Sequence, residues 1–106
     1  MKRILEGKRY DSDNAILIGE GKHGSVRSGD FSAWEAGLYK TPRSGQYFLA
    51  GEGGPMTQFR VQVEQNSWTS GSKVIPMTAQ EAPRWAEQYL DSKVVEAEFG
   101  DLIKDA

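Results

Sequence analysis

The sequence predicts an α+β fold, in which an antiparallel β-sheet built from hairpins carries two C-terminal helices on one face. Short apolar segments separated by glycine, proline and asparagine fill residues 1–77, whereas helical periodicity is confined to residues 78–103. A length of 106 residues fits a single domain, residues 1–106, that folds on packing alone. Together these observations predict one α+β domain.

The N-terminal part predicts short strands separated by turns. Residues 4–5 and 8–10 flank a Glu6-Gly7 turn, and residues 11–14 form the next break. Residues 15–18 are a continuous apolar run, whose β-branched isoleucines favour a strand over a helix. Residues 19–29 are rich in glycine, and we expect them to form a loop.

The strongest structural signal is a β-hairpin within residues 38–57. Residues 34–38 alternate apolar and polar or small side chains, which predicts a half-buried strand leading into it. Pro42 supplies the fixed φ of a first turn position, and Gly45 supplies the positive φ that a type I turn with a bulge requires. After the second strand, residues 51–55 are expected to turn the chain sharply.

The next segment predicts two more strands and a loop. Residues 59–64 alternate between apolar and polar side chains and give the cleanest strand pattern in the chain. Residues 66–72 are predicted to form a polar loop around Trp68. Residues 73–75 then predict a last short strand before Pro76.

The helical part begins at a capping box, in which Thr78 and Glu81 each bond the other's backbone N–H. Pro83 would crowd the first turn, so we expect that turn to be tightened or the helix to start later. Apolar side chains at helical spacing then follow in two stripes: Ala82, Trp85, Ala86, Tyr89 and Leu90, and Val95, Phe99, Leu102 and Ile103. The two stripes predict two helices joined near residues 91–92.

Charge is distributed unevenly along the chain, although the formal net charge is only −2. From residue 79 onward, seven acids face three bases: Glu81, Glu87, Asp91, Glu96, Glu98, Asp101 and Asp105 against Arg84, Lys93 and Lys104. This balance does not support a broad footprint on duplex DNA, and it would attract a basic protein surface. The structural alternative is a solvated acidic helix face.

Composition excludes several classes of site. The absence of cysteine excludes disulfides, thiolate metal sites and a cysteine nucleophile. No apolar run approaches the roughly 18 residues of a membrane span. We therefore expect a soluble cytoplasmic protein that needs no cofactor and no metal.

Catalytic and nucleotide-binding motifs are incomplete. Residues 19–24 match G-x-G-x-x-G, but neither the remaining kinase motifs nor a following helix accompanies them. His23 is the only histidine, and nothing in the sequence is placed to orient it for a Ser-His-Asp triad. Asp11 and Asp13 echo a calcium loop without its remaining ligands.

Two loops hold the other candidate binding residues. Residues 51–55 contain enough glycine for a backbone nest that holds an anion, although Glu52 within it would oppose an anion. Trp68 lies between Ser67 and Thr69 and is expected to be an exposed interface anchor, whereas Trp34 and Trp85 are expected in the core.

The order of motifs resembles a group of small uncharacterised proteins of bacterial genomes, phages and other mobile elements. The resemblance spans about residues 7–90 and rests on residues 7–11, 30–31, 38–41, 47–49, 51–54, 75–78, 81–82 and Trp85. Small acidic proteins on mobile elements often resemble inhibitors of host defence, including anti-CRISPR and anti-restriction proteins. The resemblance therefore implies a non-enzymatic inhibitor that acts by stoichiometric binding.

We expect this protein to bind a protein partner such as a CRISPR or restriction effector, through contact residues Glu52, Trp68, Glu87, Asp91, Glu96 and Glu98. The alternative is a small nucleic-acid-binding module that uses Arg27, Lys40, Arg43, Arg60 and Trp68 on the sheet side. An enzyme built on His23 is a third hypothesis. An exposed hairpin edge could also pair with a second copy of the chain and form a homodimer.

Overall fold

The computed structural model describes all 106 residues and confirms the α+β fold. It contains eight strands and two helices: β1 Lys2–Leu5, β2 Lys8–Asp11, β3 Ile16–His23, β4 Trp34–Lys40, β5 Tyr47–Gly53, β6 Val61–Glu64, β7 Ser67–Thr69, β8 Gly71–Met77, α1 Glu81–Tyr89 and α2 Ser92–Phe99. The central sheet is antiparallel, with the strand order β3-β4-β5-β8. Two separate hairpins, β1-β2 and β6-β7, flank it. Neither α1 nor α2 has the length and apolar character of a membrane span.

The main core lies between the central sheet and the helices. The residues that form it come from β4, β5, both helices and the segment before β6: Trp34, Ala36, Leu38, Leu49, Phe59, Ala82, Trp85, Ala86, Val95 and Phe99. The prediction that Trp34 and Trp85 are core residues is confirmed, because they are 8% and 7% exposed. Burial of aromatic rings of this size is the main source of stability in a small domain.

The predicted loop over residues 19–29 is wrong in its first half, because β3 continues through the glycines to His23. A Cβ on Gly21 would lie 2.9 Å from Trp85 Cη2 and 2.9 Å from Tyr89 Cβ. A Cβ on Gly19 would lie 2.9 Å from a methyl carbon of Leu90. These glycines therefore let helix α1 pack closely on the strand, and they do not mark a flexible segment.

Two further boundaries differ from the sequence prediction. Strand β5 runs through Gly51 to Gly53, so the sharp turn predicted for residues 51–55 does not begin at Gly51. Gly51 is needed there for close packing, because a side chain would meet the backbone of Glu35 on β4. The expected polar loop at residues 66–72 contains strand β7 and the first residues of β8. Asn66 adopts a φ of +66°, which lets β6 and β7 form a tight hairpin that polarity alone did not predict.

The predicted helix signals are confirmed. The Glu81 N–H donates to Thr78 Oγ1 at 3.0 Å, and the Thr78 N–H donates to Glu81 Oε1 at 2.9 Å. Helix α1 begins at Glu81, so the later start expected from Pro83 is confirmed, and the proline falls within the first turn, where it is tolerated. Asp91 caps α2 by accepting from the Lys93 N–H at 2.8 Å.

The opposite face of the sheet is covered at one end by the β1-β2 hairpin. The turn of this hairpin has positive φ at Glu6 and Gly7, which fits a two-residue turn of type I′. Tyr10 packs its ring edge-on against Phe48 at 5.4 Å, and Val74 completes a second small core. Beyond the hairpin this face of the sheet is open.

The edges of the sheet are β3 and β8. Pro76 lies inside β8, opposite Phe48 of β5. A proline is tolerated there because in an edge strand its nitrogen faces away from the neighbouring strand. In the β4–β5 turn, Gly45 has the predicted positive φ, +66°.

Candidate functional site

The acidic helical surface consists of Glu87 on α1, Asp91 at the start of α2 and Glu96 on α2. All three carboxylates are exposed, and none takes part in an ion pair. Glu87 and Glu96 line a shallow depression of about 220 Å³, together with Leu90, Ser92, Val95 and Ile103. The structure thus brings two of the sequence-predicted contact residues, Glu87 and Glu96, together around a partly apolar depression, and Asp91 caps α2 beside them.

Glu98 lies on the same helix but has a different environment. Its Oε2 accepts from the Tyr47 hydroxyl at 2.6 Å and from Lys40 Nζ at 2.9 Å, and its side chain is 18% exposed. Burial, and then the hydrogen bond and charge of Glu98, raise the pKa of Tyr47 well above its ordinary value. Glu98 therefore ties α2 to strands β4 and β5.

Glu52 lies on the open face of the sheet, within β5. It stands directly opposite Glu35 of β4, which in turn stands opposite Lys22 of β3. These residues line a groove of about 550 Å³ with Glu20 and the small residues Gly37 and Ala50. Like charges that face each other on neighbouring strands destabilise a sheet, so the pairing of Glu35 with Glu52 lowers the stability of the fold. The negative charge around Glu52 also opposes the anion nest considered for this segment.

Trp68 is exposed, as predicted, with 41% of its surface accessible. The guanidinium of Arg60 lies 4.0 Å from the centre of its ring, so the two side chains form a cation–π pair on the β6-β7 hairpin. Of the other basic residues in the nucleic-acid hypothesis, Lys40 is bound to Glu98, and Arg27 lies on a short turn. Arg43 lies on the β4–β5 turn, so these basic side chains occupy several elements of the fold.

His23 ends strand β3 opposite Trp34, is exposed and makes no side-chain hydrogen bond. The carboxylate of Asp30 accepts from the Ser32 N–H at 2.9 Å and from Ser32 Oγ at 2.8 Å, and these bonds lower the pKa of Asp30. No hydrogen bond joins the Asp30 carboxylate to His23. Beside it, Trp85 has a buried indole N–H without a hydrogen-bond partner.

The basic groove is a feature that the sequence analysis missed. Four cationic side chains line it, Lys2 on β1, Lys8 and Arg9 on β2 and Arg43 on the β4–β5 turn. Its volume is about 720 Å³, and Asp11 is its one acidic residue. The signal in the sequence was the run Lys8-Arg9 beside the Glu6-Gly7 turn, since the register of that hairpin places Arg9 diagonal to Lys2.

Comparison of the chain with protein families, curated proteins and solved structures found no match. No group of three or more histidine, aspartate or glutamate side chains is arranged to hold a metal ion. The fold and the surfaces together define an α+β protein with an acidic helical surface and a separate basic groove.

Proposed function

We propose that this protein is a non-enzymatic inhibitor that binds a protein of a bacterial defence system, of the anti-CRISPR or anti-restriction type, in the bacterial cytoplasm. The observation that carries this proposal is the acidic helical surface, on which the unpaired carboxylates of Glu87 and Glu96 line a partly apolar depression. The resemblance to proteins of phages and mobile elements supports the defence-system part. The proposal predicts a partner with a basic surface.

The chemistry of the surface fits an interface with such a partner. Defence effectors that handle nucleic acid carry grooves of lysine and arginine, which a row of carboxylates can occupy in place of phosphates. Ile103, which is 43% exposed, and the half-buried Leu90 supply apolar contact area beside the two carboxylates, whereas Val95 beneath them belongs to the core. An apolar centre with a charged rim is the usual arrangement of a protein interface, in which the rim speeds association and the centre slows dissociation.

The test uses strains that each carry one CRISPR or restriction system, with phage plaque counts as the readout of inhibition. The protein should restore plaques against at least one system and should copurify with the purified effector of that system. The charge-reversed variant Glu87→Lys/Glu96→Lys should lose inhibition and bind the effector at least about tenfold more weakly, since charge pairs of this kind contribute about 1.4 kcal/mol or more.

The matched control is Glu64→Lys/Asp105→Lys, which changes the net charge by the same amount at exposed carboxylates outside the acidic helical surface. This control should inhibit as the parent does, and both variants should melt at the temperature of the parent. Inhibition that survives in Glu87→Lys/Glu96→Lys, or that is lost equally in the control, would contradict the role given to this surface. Failure to inhibit any system would contradict the proposed function itself.

A further inference from the structure

We propose that the basic groove binds the phosphates of a single-stranded nucleic acid. Lys2, Lys8, Arg9 and Arg43 come from two strands and a turn, and they line one groove of about 720 Å³. A volume of this size lies within the range of ligand sites, roughly 300–1,000 Å³. The inference does not depend on the proposed function, because the groove and the acidic helical surface share no residue.

The cations of the groove are free to meet a ligand. The protein has two ion pairs, which join the N-terminal amine to Asp13 and Lys40 to Glu98, and neither involves a side chain of the groove. The one carboxylate present, Asp11, already accepts from Asn14 Nδ2 at 2.7 Å and from the Asp13 N–H at 3.1 Å. Those bonds, chiefly the one from Asn14, lower the pKa of Asp11, and it stands opposite Lys2 in the β1-β2 register. Four cations and one anion leave the groove with a net charge of +3.

The rest of the lining points to phosphates as the groups recognised. Ala15 is the only hydrophobic residue among the 11 that line the groove, and no aromatic ring is present for a base to stack on. The β4–β5 turn is held by a hydrogen bond of 2.8 Å between Thr41 Oγ1 and Ser44 Oγ, and by the Gln46 N–H donating to Thr41 Oγ1 at 2.9 Å. Arg43 is therefore presented from a braced turn. Contacts to phosphates, without contacts to base edges, give binding that is independent of base sequence.

The confined positive charge favours a single strand over a duplex. A duplex needs a wide basic footprint, whereas this chain has a net charge of −2 and a separate acidic helical surface. A single strand has a flexible backbone that can bring successive phosphates close to the four cations of the groove. The charge and the lining of the groove both fit that ligand.

The experiment measures the binding of the whole protein to a labelled oligothymidine of about 12 nucleotides, at several salt concentrations. Each phosphate contact with a single strand contributes about −0.7 to the slope of log affinity against log salt. Four contacts predict a slope near −2.8, so affinity should fall about 50-fold between about 50 and about 200 mM salt. In Arg9→Gln/Arg43→Gln the slope should drop to about −1.4, and the fall should be about sevenfold.

Arg84→Gln/Lys93→Gln is the matched control, because it removes the same charge from exposed helical positions outside the groove. It should keep the slope of the parent. Equal slopes for the two double variants would overturn the assignment to the groove. Absence of oligothymidine binding at low salt, tighter binding of a duplex, or binding of inorganic triphosphate alone would each overturn the nucleic-acid proposal. Melting temperatures of the two variants should match that of the parent, since all four side chains are exposed.

Discussion

The sharpest structural prediction concerns Gly21, the residue of β3 that lies beneath helix α1. An added Cβ would lie 2.9 Å from Trp85 Cη2, 3.1 Å from Trp85 Cζ2 and 2.9 Å from Tyr89 Cβ. The Trp85 ring cannot move aside easily, because Trp34 and Tyr89 pack against it with ring centres 6.1 and 5.2 Å away. The substitution Gly21→Ala therefore forces the helix away from the strand.

Overpacking of this kind costs roughly 1–3 kcal/mol in the free energy of unfolding. At an open site a change from glycine to alanine would stabilise the protein by about 0.4–1 kcal/mol, because it lowers the entropy of the unfolded chain. The sign of the change in unfolding free energy therefore tells whether the site is crowded. For a domain of this size 1 kcal/mol corresponds to roughly 4–8 °C in melting temperature. A cost of about 2 kcal/mol therefore predicts a fall of about 8–16 °C in a thermal melt followed by circular dichroism.

Gly100→Ala is the matched control. Gly100 has a φ of −53° at the end of α2, and apart from its chain neighbours and the local helix backbone no atom lies within 4 Å of the position of an added Cβ. We expect Gly100→Ala to melt at or slightly above the temperature of the parent. A melting temperature for Gly21→Ala equal to that of the parent would refute the close packing of α1 on β3, as would an equal loss in both variants.

Three further predictions concern Glu98, Tyr47 and Thr78. In a double-mutant cycle followed by urea unfolding, Glu98→Ala and Tyr47→Phe should show a coupling free energy of about 1.5–3 kcal/mol, because the hydrogen bond joins a charged and a neutral group. Additive losses of unfolding free energy in the double variant would contradict this coupling. The raised pKa of Tyr47 means that folding favours its neutral form, so its contribution to stability is complete below about pH 10 and is lost as pH rises above that value. Urea titrations at increasing pH should show that the free energy of unfolding falls less in Tyr47→Phe than in the parent, and an equal fall would argue against this. Burial also raises the pKa of Tyr39, so Tyr39 accounts for part of the fall that remains in Tyr47→Phe. Thr78→Ala should cost about 1 kcal/mol by removing the capping box, whereas the exposed Thr69→Ala should cost less; equal costs would count against the cap.

Much of the fold was predictable because its signals are local. The capping box and Gly45 each require a particular residue at a particular backbone position, and both predictions are confirmed. The continuation of β3 was not predictable in the same way, because glycine in a sequence indicates conformational freedom. What Gly21 supplies is space for Trp85, which lies 64 positions further along the chain. Contacts of that range leave no trace in local patterns.

The candidate surfaces also combine features that local sequence patterns predict with features that depend on long-range contacts. Glu87 and Glu96 are exposed because they lie off the apolar stripes of their helices, which the helical period predicts. Glu98 belongs to the same acidic run, but its partners Tyr47 and Lys40 are 51 and 58 positions away, so no local pattern indicates that it is bound. The basic groove likewise depends on how the β1-β2 hairpin sits beside the β4–β5 turn.

The two edges of the central sheet differ in what they offer to another chain. Strand β3 presents eight residues without a proline, and Ile16 and Leu17 are about half exposed at its start. Strand β8 contains Pro76, which lacks the N–H that an incoming strand would need at that position. A sheet with one open edge accepts one neighbour. Two copies joined at β3 would turn both proline-bearing edges outward, so assembly through the sheet would close with two-fold symmetry and would not propagate into a fibre.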